Sequence, residues 1–94
     1  MKPEFVPVLA DLLKTYFDEN DLFGLWQAFD LHPVWDNPRN VPDWMGTARD
    51  LILQSSVGNR GRLLASVLNT LEDRIRAAYH STKMNAERQR LDEI

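Results

Sequence analysis

Two histidines are the residues of this chain best suited to acid–base or metal chemistry. His32 lies close in sequence to Asp30 and Asp36, whereas His80 lies far along the chain in a different local setting. A catalytic or metal site needs several groups that converge on one point. We therefore expect structural roles for both histidines, and we predict no catalytic residue, no cofactor and no metal.

A short glycine-containing turn at residues 58–61, Gly-Asn-Arg-Gly, is the other segment that could bind a ligand. It lacks the lysine and the hydroxyl of a phosphate-binding loop, and it follows a predicted helix instead of a strand. The chain has no cysteine, which excludes disulfides and thiolate metal sites. These features predict a protein that is not an enzyme and has no small-molecule substrate.

Charge is distributed unevenly along the 94 residues, whose net charge is −3. Residues 1–57 contain four basic and nine acidic side chains, and residues 58–94 contain seven basic and five acidic ones. Such asymmetry favours head-to-tail association. No apolar run approaches the roughly 20 residues of a membrane-spanning helix, and Glu4 lies where a signal peptide is apolar. We expect a cytoplasmic protein without a membrane partner.

Apolar residues recur at helical spacing in four segments. The stripes are Phe5, Leu9, Leu12, Leu13 and Tyr16; Leu22, Leu25, Trp26 and Phe29; Val41, Trp44, Met45, Ala48, Leu51 and Ile52; and Leu64, Val67, Leu68, Leu71, Ile75, Ala78 and Tyr79. They predict an all-α fold, a compact antiparallel bundle of five or six helices over residues 1–80. The count depends on a possible break between Asn69 and Glu72. Residues 81–94 are predicted to form a polar helical tail or the start of a linker.

The junctions between these segments carry their own signals. Asp18 is predicted to cap the second helix. Residues 32–43 contain three prolines and are predicted to form a loop with one short helical turn at 34–37, followed by Pro42 as the first helical residue. Trp26 and Trp44 are predicted to be buried, and Trp35 to anchor the loop while partly exposed. The sequence disfavours β-structure.

Two alternative functions remain open from the residues. A basic stripe of arginines and one lysine could bind nucleic acid, but acidic side chains interrupt it, and Arg74 and Arg76 are predicted simply to solvate a helix. The stripe consists of Arg60, Arg62, Arg74, Arg76 and Lys83. In the second alternative, residues 81–94 pair with the same segment of another copy and form a homodimeric bundle.

Three segments together resemble a known family. They are Leu-Leu-Lys-Thr-Tyr-Phe-Asp-Glu-Asn-Asp-Leu-Phe-Gly-Leu-Trp (12–26), Ala-Arg-Asp-Leu-Ile (48–52) and Gly-Arg-Leu-Leu-Ala-Ser-Val-Leu (61–68). In this order they look like the bacterial death-like domains, the effector-associated adaptor modules of prokaryotic conflict and signalling proteins. Those domains resemble animal death-effector and caspase-recruitment domains. The resemblance covers residues 5–79. It implies a death-like bundle and homotypic or heterotypic binding that couples a sensor to an effector.

Charge and resemblance together predict which side chains bind a partner. The partner is predicted to be a protein carrying a similar helical domain, or a second copy of this chain. An acidic corner of one molecule would meet a basic corner of the next, in heterologous contacts that propagate unless the rotation closes. The predicted binding residues are Asp18, Glu19 and Asp21 in the acidic corner, Arg60 and Arg62 in the basic corner, and Arg49. The prediction requires that the two corners do not neutralise each other within one molecule.

Overall fold

Helices dominate the chain, which confirms the predicted all-α class. The computed structural model describes residues 2–78 and 89–91. In chain order, the elements are a 3-10 turn (Pro3–Phe5), α1 (Val6–Tyr16), α2 (Glu19–Ala28), β1 (Trp35–Asp36), β2 (Val41–Pro42), α3 (Trp44–Leu53) and α4 (Arg60–Ala78). Residues 89–91 are also helical. The death-like arrangement of these helices stays a prediction.

The fourth helix is longer than any other in the described residues. It runs from Arg60 to Ala78 without the break considered between Asn69 and Glu72. Residues 2–78 therefore contain four α-helices and the 3-10 turn, five helical elements in all, where the sequence predicted five or six helices. Apart from residues 89–91, the predicted tail lies outside the described residues, as do His80 and Lys83.

The core lies where the apolar faces of all four helices meet. α1 packs most extensively on α3, and α4 contacts each of the other three helices. Burial of this apolar surface is the main term that stabilises the bundle. Its most deeply buried side chains are Leu9, Leu12, Leu13, Leu22, Trp26, Leu51, Ile52, Leu63, Val67, Leu71 and Ile75.

Asp18 is the N-cap of α2, as predicted. Its Oδ1 accepts the backbone N–H of Asp21 at 2.8 Å, and the backbone N–H of Asp18 donates to Asp21 Oδ2 at 3.0 Å. This reciprocal capping box satisfies two backbone donors that the helix itself leaves free. It fixes the sharp corner between α1 and α2.

The segment between α2 and α3 differs from the prediction. Residues 35–36 and 41–42 form a short antiparallel ladder, in which Trp35 lies opposite Pro42. The predicted helical turn at 34–37 is therefore wrong. Proline disfavours helical geometry in the residue before it, here Asn37, and Asn40 adopts a positive φ of 54° and donates its N–H to Asp36 O at 2.7 Å. These local preferences favour a tight hairpin over a helical turn.

The start of α3 also differs from the prediction. Asp43 is the N-cap, and its Oδ1 accepts the backbone N–H of Gly46 at 2.9 Å. Because an aspartate carboxylate satisfies a free helical N–H, the helix begins after Asp43. Pro42 therefore belongs to β2 instead of the first helical turn.

The tryptophans are only partly as predicted. Trp26 is 1% exposed, which confirms its predicted burial. Trp44 is half-buried because it lies in the first turn of α3, at the edge of the core. Trp35 is half-buried and packs against the core from the hairpin, as predicted.

Candidate protein-binding surface

The acidic corner is partly neutralised within the molecule. Arg74 of α4 forms a bidentate ion pair with Asp21, with Nη1 2.6 Å from Oδ2 and Nη2 2.7 Å from Oδ1. These hydrogen bonds hold the pKa of Asp21 well below its usual range, against the opposing effect of burial. The pKa of Arg74 is raised by the same hydrogen bonds. Asp21 is thus engaged by its own chain.

Arg74 makes further contacts with this corner. Its Nη1 donates to the backbone carbonyl of Tyr16 at 2.7 Å, and its guanidinium lies 4.9 Å from the centre of the Phe17 ring. The prediction that Arg74 only solvates α4 is therefore wrong. Its partners lie more than fifty positions earlier in the sequence, so helical spacing along α4 gave no sign of them. Arg76 instead pairs with Glu72 one turn earlier on the exposed surface, at 2.9 Å.

The basic corner is also partly engaged. Arg60 Nε lies 3.2 Å from both carboxylate oxygens of Asp50. This pair joins the start of α4 to the last turns of α3. Arg62 is exposed and forms no ion pair with any residue that the structure describes. The two corners do not neutralise each other, because Asp21 of the acidic corner pairs with Arg74 and Arg60 of the basic corner pairs with Asp50.

Three of the predicted binding residues remain available for a partner. Glu19 and Arg49 are exposed and, like Arg62, take part in no ion pair among residues 2–78 and 89–91. Asp18 is exposed, but its carboxylate is occupied by the capping bond to Asp21. The predicted surface therefore narrows to Glu19, Arg49 and Arg62.

The outer side of α3 exposes apolar side chains around one of these charges. Met45, Arg49 and Leu53 recur every four residues and form one stripe on the helix, which we call the α3 face. Met45 is 44% exposed and Leu53 is 50% exposed. The buried residues Ala48 and Leu51 occupy the other side of the helix. The α3 face thus presents one basic side chain, Arg49, between two exposed apolar side chains.

A second exposed stripe lies on α2 and is acidic. It consists of Glu19, Phe23 and Gln27, all exposed, and we call it the α2 face. Phe23 is 46% exposed, whereas Leu22 and Trp26 of the same helix are buried. This face presents a carboxylate one helical turn before an aromatic ring.

Comparison with known proteins gives no relative. No family model, no curated protein and no solved structure matches this chain.

Sequence reasoning missed the apolar members of both faces. Met45 was assigned to the buried stripe of its helix, together with Val41, but both are exposed. Because α3 begins at Trp44, Val41 is not on the helix at all. Phe23 and Leu53 did carry a signal, since each is a large apolar residue outside the stripe of its own helix. An apolar residue that does not fit the buried period is a candidate for a binding surface.

A groove of about 360 Å³ separates α1 from the hairpin and the start of α3. Three carboxylates line it, those of Asp11, Asp36 and Asp43. Asp11 pairs with Arg90 at 2.7 Å, and Asp43 caps α3, so two of the three already have partners. The groove does not bring together the groups that a catalytic site needs.

Within residues 2–78 and 89–91, no three histidine or carboxylate side chains are grouped as ligands of a metal ion. His32 is exposed between α2 and β1. Of the described helices, none combines the length and the apolar character needed to cross a bilayer.

Proposed function

We propose that this chain is a non-catalytic protein–protein interaction adaptor that recruits a partner through exposed helical surface. We expect it to act in the cytoplasm and, as the sequence resemblance implies, in a bacterial conflict or signalling system with a death-like arrangement of helices. The observation that carries the proposal is the α3 face, Met45, Arg49 and Leu53. It combines a cation that has no described partner with two apolar side chains that are about half exposed.

The composition of the α3 face supports protein binding. Single exposed apolar residues are common on protein surfaces and need no explanation. Here two of them, a methionine and a leucine, lie on one stripe and flank an arginine, and both methionine and arginine are enriched at protein interfaces. Removing Met45 and Leu53 from water on binding stabilises the complex, while Arg49 selects a partner that carries a carboxylate.

The ion pairs of the chain support protein binding over nucleic-acid binding. Arg60, Arg74 and Arg76 of the predicted basic stripe each lie beside a carboxylate of the same molecule. A phosphate would have to displace these carboxylates or bind next to them, which weakens the electrostatic term that dominates nucleic-acid affinity. Arg62 alone remains without an ion pair among the described members of the stripe.

The test compares charge reversal on the α3 face with the same change elsewhere. Tagged full-length chain, its Arg49→Glu variant and a Lys14→Glu control are used to capture proteins from the source cells. Lys14 is an exposed cation on α1, outside both faces. A specific partner is retained by the unmodified chain and the control and lost with Arg49→Glu.

The captured protein is then purified and its affinity is measured directly. We expect Arg49→Glu to weaken binding by at least about tenfold, because it replaces attraction with repulsion at the centre of the face. Equal affinity for both variants would remove the α3 face from the interface. Binding of duplex DNA with a steep salt dependence, and of no protein, would favour the nucleic-acid alternative instead.

A further inference from the structure

We infer that the α3 face of one copy binds the α2 face of a second copy, so that this chain associates with itself head to tail. In this contact Glu19 pairs with Arg49, and Phe23 packs against Leu53. The inference rests on the proposed function and names the partner of the α3 face.

Charge complementarity is the first argument. Glu19 on the α2 face and Arg49 on the α3 face have opposite charges, and neither forms an ion pair within the described residues. By contrast, Asp21 and Arg60 are already held by Arg74 and Asp50. Of the predicted binding residues, Glu19, Arg49 and Arg62 are therefore left for a second molecule. Glu19 and Arg49 each share a stripe with an exposed apolar side chain, and this narrows the predicted contact from the charged corners to the α2 and α3 faces.

Spacing is the second argument. On a helix, side chains four positions apart lie on one side at about 5–6 Å. Glu19 and Phe23 have this spacing on the α2 face, and Arg49 and Leu53 have it on the α3 face. When α2 of one copy lies parallel to α3 of the other, a single alignment places Glu19 against Arg49 and Phe23 against Leu53. Each apolar side chain is about half exposed in the free molecule, so the contact buries surface that is now in water.

The position of Arg49 argues against a symmetric dimer through α3 alone. Arg49 lies midway between Met45 and Leu53 on the helix. A two-fold axis through an antiparallel pair of α3 faces would place Arg49 against Arg49 of the other copy, and like charges at the centre of an interface repel. The second copy must therefore present a different surface, and the α2 face is the acidic one with an exposed aromatic ring.

A contact between two different faces has a defined consequence for assembly. Each copy keeps one free α2 face and one free α3 face after the first contact, so association continues into a ring or an open chain. The test exploits this property. A variant that blocks only one face keeps the other face intact and can still bind a copy that is blocked on the opposite face.

The experiment measures the mass of purified full-length chain by sedimentation velocity over a concentration series at low salt. Phe23→Gln blocks the α2 face, and Leu53→Glu blocks the α3 face by placing a charged carboxylate against the Phe23 ring, where Leu53 would otherwise pack. We expect the unmodified chain to form species larger than a dimer. We expect each variant alone to lose self-association by at least about tenfold, and their mixture to form a one-to-one dimer that grows no further.

Matched controls keep the experiment interpretable. Val41→Gln removes another exposed apolar side chain, outside both faces, and should associate as the unmodified chain does. Circular dichroism measures whether the variants keep their helices. We expect that they do, because Phe23, Leu53 and Val41 are each at least 43% exposed. Glu19→Lys and Arg49→Glu should each abolish association, and the chain carrying both changes should regain it.

Four outcomes overturn the inference. Self-association that survives both blocking variants places the contact elsewhere. Loss with Leu53→Glu but not with Phe23→Gln indicates that α3 does not meet α2. A chain that stays monomeric at every concentration, yet binds another protein through Arg49, overturns the inference and leaves the proposed function standing. A chain that stays monomeric and also captures no partner overturns both the inference and the proposed function.

Discussion

At the scale of single residues, Arg74 holds the α1–α2 corner against α4. It pairs with Asp21, donates to the Tyr16 carbonyl and lies over Phe17. Asp21 takes part both in this pair and in the capping box of α2, so one carboxylate links a local motif to a contact between distant elements. The sequence predicted the capping residue Asp18, because a cap is a local feature. It could not predict Arg74, because nothing local distinguishes this arginine from others on α4.

The first prediction concerns the stability that Arg74 provides. Arg74→Met keeps an apolar stem but removes the hydrogen bonds and the ion pair. We expect the free energy of unfolding to fall by about 1–2 kcal/mol, toward the lower part of the range for charged hydrogen bonds, because solvent screens this pair. Urea denaturation measures the loss. Arg76→Met, which removes an exposed pair within α4, should cost less than about 0.5 kcal/mol. Equal losses for both variants would contradict the role given to Arg74.

The second prediction concerns pH. The pKa of Asp21 is lower in the folded chain than its ordinary value of 3.8, because Arg74 stabilises the carboxylate. The ion pair therefore contributes its full stability above this ordinary value, and the contribution declines as the pH falls below it, since the unfolded chain takes up a proton first. The difference in unfolding free energy between the unmodified chain and Arg74→Met should shrink between about pH 6 and about pH 3. A difference that stays constant or grows toward acid would refute the assignment. The free energy of unfolding of Arg74→Met should therefore depend less on pH in this range than that of the unmodified chain, and Asp21→Asn should show the same reduced dependence.

At the scale of elements, apolar periodicity predicted α1, α2, α3 and α4, and it predicted most of the buried side chains. Periodicity reports which side of a helix is apolar, and this property is encoded locally. The β1–β2 hairpin was missed because its strands have two residues each, too few for an alternating pattern to appear. The sequence does not decide whether α4 is continuous. Its apolar stripe allows a break between Asn69 and Glu72, but no glycine or proline there forces one, and the helix is unbroken.

Two glycines give a third prediction, on how tightly these elements are joined. A Cβ at Gly61 would lie 2.7 Å from the backbone carbonyl oxygen of Ser55, so the α3–α4 turn needs glycine for close approach. Gly24 lies within α2, and a Cβ there has no atom within 4 Å. We expect Gly24→Ala to raise the free energy of unfolding by about 0.5–1 kcal/mol through helix propensity and lower entropy of the unfolded chain. Gly61→Ala should lower it by more than about 1 kcal/mol. Urea denaturation of the two variants should shift in opposite directions, and a shared direction would contradict this account.

At the scale of the whole molecule, pairing within the chain decides which charges face outward. Charge and the family resemblance together predicted six binding residues, and this prediction stays untested. Within the described part of the chain, Asp21 and Arg60 form ion pairs, whereas Glu19, Arg49 and Arg62 form none. Sequence could not separate the two groups, because charge pairing between helices depends on packing. Of the apolar members of the two faces, Met45 emerged only when the bounds of α3 decided which side of the helix is buried, whereas Phe23 and Leu53 already lay outside the predicted apolar stripes.

The last prediction tests whether the end of the chain binds its own domain or another copy. Leu91 is 8% exposed and belongs to the core, and Arg90 beside it pairs with Asp11 of α1. If this contact is intramolecular, Leu91→Ala lowers the free energy of unfolding by about 2 kcal/mol, the low end of the range for a buried leucine. The melting temperature should then be independent of protein concentration. Measuring it in the Leu53→Glu background removes the contact proposed between α2 and α3. A melting temperature that still rises with concentration, and stops rising with Leu91→Ala, would show instead that this segment pairs two copies, as the homodimer alternative requires.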